Sequence, residues 1–231
     1  MNAKFLFAYS VACLLVGCGG GGSDTPATST PAATFPLAAA YKAEAQTARS
    51  DAFTVSGTCG GTATLTKSAA TSATTFEGSP AFTQIVTQQF NLTGCTPASS
   101  SATGTNYVDQ TTYLPRGTVT SGIEYGVAAG GTFAALPATV KVGDAGTIGA
   151  INLFSTSAKT TATGTRTLSY SVTSDTATTA KVTIQSIDRD VAGATTATRQ
   201  SLYRTDTSGN LTLLTLDVVL SSGTHLVLTK T

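Results

Sequence analysis

An all-β fold is predicted for this chain by three features of its sequence. From Phe35 onward apolar residues alternate with hydroxyl-bearing ones at a period of two, the spacing of a strand with one buried face. Short clusters of Gly, Asp, Asn and Ser break that alternation at close intervals, too close for the long crossovers that parallel strands require. Long amphipathic helical patterns are missing from the same region. Together these predict antiparallel meander sheets forming a curled sandwich or half-barrel, with at most one short helix.

Taken in order, Ala38 to Arg49 carries helix formers with a thin apolar stripe and reads as a short helix or a first strand. Ala52 to Gly57, Gly61 to Lys67, Thr74 to Glu77 and Phe82 to Leu92 follow as candidate strands. Tyr107 to Pro115 reads as a connector, and Thr118 to Val127, Thr139 to Val142 and Ile148 to Phe154 lead into a clearer meander. There Thr167 to Thr173 is strictly interleaved. Lys181 to Gln185, Ser201 to Arg204, Leu211 to Leu220 and Thr224 to Thr229 repeat the pattern. The alternation slips by one at Leu213-Leu214, which predicts a bulge. Leu168, Tyr170, Val172, Val182, Ile184, Leu214 and Leu216 are the expected inward positions. The organisation expected is a disulfide-bearing N-terminal β-subdomain over 35–115 and a C-terminal meander over 116–231, packed as one unit.

The first residues carry a different signal. Lys4 precedes an almost unbroken apolar run from Phe5 to Val16, too short for the about 20 residues that span a bilayer as a helix. Leu15-Val16-Gly17-Cys18 follows at once. This quartet resembles the lipobox of bacterial lipoproteins, in which a small residue precedes a cysteine that is acylated and becomes the mature N-terminus. The resemblance implies a signal peptide over 1–17 and a membrane partner reached through lipid, palmitate included, on Cys18. Two or more acyl chains hold firmly where one holds marginally. Gly19 stands where enteric bacteria place an inner-membrane retention aspartate, so the resemblance further implies the outer membrane. The glycine-rich, Thr/Pro/Ala stretch over 18–34 cannot bury apolar surface and reads as a disordered tether. In composition the remainder resembles uncharacterised secreted bacterial lipoproteins, a likeness that implies no activity.

In an exported chain Cys59 and Cys95 are expected to pair. Each ends a similar phrase, Phe53 to Cys59 and Phe90 to Cys95, just past a candidate strand. The alternative uses of two cysteines fit poorly, because redox pairs favour Cys-x-x-Cys and a zinc site needs further ligands.

Of the 13 basic residues only Lys4 precedes Cys18, so the chain beyond it carries 12 basic and 12 acidic residues. That balance speaks against a nucleic-acid partner, which needs a basic surface. The single histidine, His225, and the lack of a Gly-x-Ser-x-Gly elbow argue against a serine hydrolase. Asp188 and Asp190, at i and i+2, are placed to share a strand face, but they stand beside a glycine turn where aspartates are ordinary. Asp206 to Asn210 has part of a calcium loop without its downstream glutamate and reads as a hairpin turn. The polar-aromatic group Tyr107, Tyr113, Arg116, Glu124 and Tyr125 is the candidate binding surface, because an aromatic ring offers a flat apolar face with a polar edge.

The expectation is therefore a non-enzymatic, lipid-anchored envelope protein that needs no metal or cofactor. It would act as an adhesin-like or accessory partner of protein or glycan. The alternative is a carrier of an apolar ligand or lipid in a curled β-sheet cavity.

Overall fold

In the computed structural model, which describes residues 33–231, the alternating strands run around a complete ring. The predicted export signal, Cys18 and most of the tether lie outside the described residues.

A two-residue strand β1 (Thr34–Phe35) leads into the only helix among the described residues, α1 (Leu37–Ala45). The strands β2 (Arg49–Gly57), β3 (Gly60–Lys67), β4 (Ser72–Phe76), β5 (Ser79–Thr93), β6 (Ser99–Asp109), β7 (Pro115–Thr120) and β8 (Glu124–Ala128) follow. After the short β9 (Val140–Lys141) come β10 (Ala145–Phe154), β11 (Ala162–Ser174), β12 (Thr179–Arg189), β13 (Thr195–Asp206), β14 (Leu211–Leu220) and β15 (His225–Lys230).

Ring strands pair antiparallel in chain order, with β8 meeting β10 past the short β9. Two pairings complete the circuit. β3 bonds to β5 past the β4 hairpin, and β15 returns to β2 with Leu226 opposite Gly57. The result is a closed barrel of 12 strands, with β4 an appendage on β5 and β1 pairing β9 outside the ring. The all-β, antiparallel, one-helix prediction holds, and the curl goes past a half-barrel to full closure. Closure leaves the ring itself without an open edge. Both predicted segments, 35–115 and 116–231, contribute strands to this one ring.

The pleat sorts side chains by chemistry. Outward positions on β11 are Thr165, Thr167, Ser169, Ser171 and Thr173, while Leu168, Tyr170 and Val172 point in and are buried. Hydroxyls also pair across strands on the outer face, Ser50 with Thr66 at 3.0 Å and Thr87 with Thr103 at 2.9 Å. A hydroxyl-coated exterior around an apolar interior is the reverse of a membrane barrel, whose lipid-facing band is apolar.

One rim is closed by the N-terminal segment. Leu37, Ala40 and Ala45 recur at helical spacing and are buried on one side of α1, the narrow apolar stripe that the sequence shows. Phe35 and Leu37 join the interior cluster with Val140, Val172, Val182 and Leu213. Gly209, in the β13–β14 turn, lets Pro36 approach to where a Cβ would stand 3.0 Å from its ring.

The predicted slip in β14 is present and corrects one inward assignment. Leu202 pairs Thr215 while Tyr203 pairs Leu213, so Leu214 is the extra, bulged residue. Leu213 is 0% exposed, and Leu214 is half-buried. Leu213, not Leu214, is the core residue. Leu213→Ala should therefore cost about 2–5 kcal/mol, and Leu214→Ala less than about 1 kcal/mol, as read by urea denaturation.

Candidate functional site

Charges stand inside this barrel. Asp51 follows the inward parity of Phe53 and Val55 on β2, and Lys67 that of Ala63 and Leu65 on β3. Arg166 precedes Leu168 on β11, Asp188 follows Ile184 and Ser186 on β12, and Arg199 precedes Ser201 and Tyr203 on β13. All five of these charged residues are buried. An ion without a partner in such a place is strongly disfavoured, and each has one.

Two networks result. Near the helix, Arg49 contacts Glu44 at 2.8 Å and Asp51 at 2.7 Å, Lys67 reaches Glu44, and Lys230 reaches Asp51 at 2.6 Å. The Lys67 ammonium also donates to the carbonyl of Glu44, and Gln84 donates to that of Ala45, which satisfies carbonyls at the end of α1. Deeper in the barrel Arg166 forms two-pronged contacts to both Glu124 and Asp188, at 2.7–3.0 Å. Arg199 donates to the second oxygen of Asp188 at 2.7 Å. Burial pushes the Asp188 carboxyl up, but the two guanidiniums outweigh it and hold it at about 2. Burial is the largest influence on Lys67 and lowers its ammonium, against the raising pull of Glu44.

Between the networks lies a void of about 140 Å³. Tyr41 of α1 and Tyr203 of β13 reach into it, and burial raises both phenols, with Glu44 adding to each. A second void of about 30 Å³ lies among Leu65, Phe90, Leu216 and Leu228, and Gln88 and Ser201 are common to both walls.

The sequence-predicted aromatic surface is divided by the barrel wall. Tyr107 on β6 and Tyr125 on β8 face outward and pack on Phe76, with ring centroids 4.2 Å and 5.6 Å apart. Phe76 lies over Gly117 of β7, where a Cβ would stand 2.2 Å from its ring, so only glycine admits this stack. The Tyr125 hydroxyl donates to Glu77, which also meets Lys159; burial and then that hydrogen bond push the phenol up to about 12.

Tyr113 is placed differently. It is buried at the helix rim, packs on Phe82, and accepts a hydrogen bond from Gln46 at 2.8 Å. It takes a left-handed φ of 61° in the β6–β7 turn, where Asp109 accepts from the backbone N–H groups of Thr111 and Thr112. Arg116 binds the other oxygen of Asp109 at 2.6 Å and serves this turn. Glu124, grouped with them in the sequence, points inward to Arg166.

The Asp188–Asp190 pair is corrected. The register shifts between Asp188 and Arg189, β12 ends there, and Asp190 turns away to accept from the backbone of Ala192 and Ala194. Asp206 likewise accepts from the backbone of Ser208 and Asn210, as a hairpin turn requires. His225 is on the outer face beside Asp217 at 3.2 Å. Among the described residues no group of three or more His, Cys, Asp and Glu is arranged to hold a metal ion. Cys59 and Cys95 form a disulfide, with Cα atoms 5.7 Å apart.

Comparison with protein-family models, with curated proteins and with solved structures finds no match for this chain.

Proposed function

We propose that this chain is an envelope lipoprotein, anchored through Cys18 to the outer membrane, whose barrel is a non-enzymatic accessory or interaction module. The observation that carries this reading is the way the barrel is filled. Its interior is occupied by an apolar cluster and two paired charge networks, and its outer face is hydroxyl-coated and suited to water. Such a body offers rigid surface more than internal space. The lipid-carrier alternative has less support, because a void of about 140 Å³ is close to the roughly 150 Å³ cavity that takes up a single benzene ring.

Metabolic labelling with a palmitate analogue, followed by fractionation and native mass spectrometry, tests the reading. The expected result is acylated protein in the membrane fraction, and loss of both label and membrane association in Cys18→Ala. An unlabelled wild-type chain would overturn the anchor. A co-purifying mass of lipid size on Cys18→Ala that leaves on denaturation would favour the carrier.

A further inference from the structure

We propose that the larger void in the barrel is a binding site for a small uncharged molecule, one ring or its equivalent in size, with a hydroxyl or carbonyl group at one end. The inference does not depend on the lipid anchor.

The first argument is charge. The charges around the void balance, Arg49 and Lys67 against Glu44 and Asp51, and Arg166 and Arg199 against Glu124 and Asp188, while Lys230, the further cation on Asp51, reaches solvent. An anionic or cationic guest would enter as an uncompensated buried ion, which is expensive. A neutral guest meets no such barrier.

The second argument is unspent hydrogen-bonding capacity. Ser201 is only 3% exposed and lines the void, yet its hydroxyl has no hydrogen-bond partner among the described residues. The Tyr41 hydroxyl and the Gln88 amide, on half-buried residues of the same wall, likewise make no side-chain hydrogen bond to a described residue. Buried polar groups in folded proteins nearly always have partners. One buried hydroxyl, with two half-buried neutral groups beside it, gives this space donors and acceptors for a guest.

Shape and size complete the specification. Ile151, Leu168 and Ile184 form an apolar wall of the same void, so a guest must present hydrocarbon as well as a polar group. At about 140 Å³ the space is close to the roughly 150 Å³ engineered cavity that takes up benzene. Water alone would satisfy the hydroxyls and leave this wall poorly matched.

Phenol is the probe, with benzoate as the charged control of the same ring size. Protein produced from the full chain is incubated to equilibrium with each compound and followed by thermal unfolding and by amide chemical shifts. The expected result is a concentration-dependent rise in Tm with phenol and little response to benzoate, with shifts centred on β11 to β13. Ser201→Val should weaken phenol binding about three- to tenfold, the equivalent of one net hydrogen bond. Ile184→Phe should fill the space and abolish binding; if that variant does not fold, Ser201→Val decides alone. A folded protein that ignores phenol holds water only, and the proposal fails. Equal responses to phenol and benzoate, or a phenol response unchanged in Ser201→Val, would also overturn it.

Discussion

Asp188→Ala will destabilise the barrel by about 3–5 kcal/mol at neutral pH, the usual cost of removing one partner from a buried ion pair. The carboxylate is shared by Arg166 and Arg199, all three residues being at most 7% exposed. Removing it leaves Arg199 facing Arg166 with no carboxylate between them, and Glu124 alone to balance Arg166. Replacing all three by apolar residues of similar volume should recover most of the loss, because the network's net contribution is far smaller than the cost of breaking it.

The same network sets an acid limit. In the unfolded chain the Asp188 carboxyl titrates near the ordinary value of about 3.9, and in the barrel it is held at about 2. A depressed folded value means that the stabilisation is fully present above about pH 4 and is lost as pH falls toward 2. The increment is on the order of 2–3 kcal/mol. Urea denaturation at pH 7 and pH 2.5 should show this loss in the wild type. Equal losses in wild type and Asp188→Ala would show that other carboxylates set the acid limit.

Reduction of Cys59–Cys95 is expected to cost roughly 4 kcal/mol. The bond closes a loop with a sequence separation of 36, and the chain-entropy relation converts a loop of that length to this figure. Its position supports a stabilising part beyond loop closure. Cys59 sits in the β2–β3 turn and Cys95 just past β5, and β3 and β5 pair with Gly60 opposite Thr93. The link therefore fastens a ring pairing whose two strands are separated in the chain by the β4 hairpin. Guanidinium unfolding of oxidised and reduced wild type measures the difference directly. Coincident transitions would mean that the reduced chain keeps this junction by hydrogen bonding alone.

How much of this could be read from the sequence depends on the residue. The strands of the second half were legible because Leu, Tyr, Val and Ile alternate there with Thr and Ser, and the Leu213-Leu214 slip showed directly as a break in period. β6 was not legible. Ser99 to Asn106 is Ser, Ala, Thr, Gly and Asn, small polar residues without an apolar alternate, and it is a strand because β5 pairs along almost its whole length. Full closure was hidden for a similar reason, since nothing local distinguishes a strand that meets the far end of the chain. The interior charges carry a signature in the sequence, since Lys67, Arg166, Asp188 and Arg199 all keep the parity of buried neighbours. Parity alone places them inside, but it does not separate Asp188 from Asp190, which shares that parity and is turned away only by the register shift at the end of β12. Tyr107, Tyr113 and Tyr125 share a short stretch of chain, but a turn and a pleat send Tyr113 to the other side of the wall from Tyr107 and Tyr125.

An even number of strands has a directional consequence. With 12 antiparallel neighbours in the ring, the last strand must run opposite to the first, so β2 begins and β15 ends at the same rim. Thr231 indeed bonds back to Ala52, and α1 enters β2 from that side. Under the proposed anchor, the barrel stands on its helix-plugged end like a cup upturned on a stalk. The opposite rim then looks away from the bilayer. It is bounded by the Cys59–Cys95 link and the turns at 121–123, 155–161, 190–194 and 221–224, and it is the face that an approaching molecule meets first.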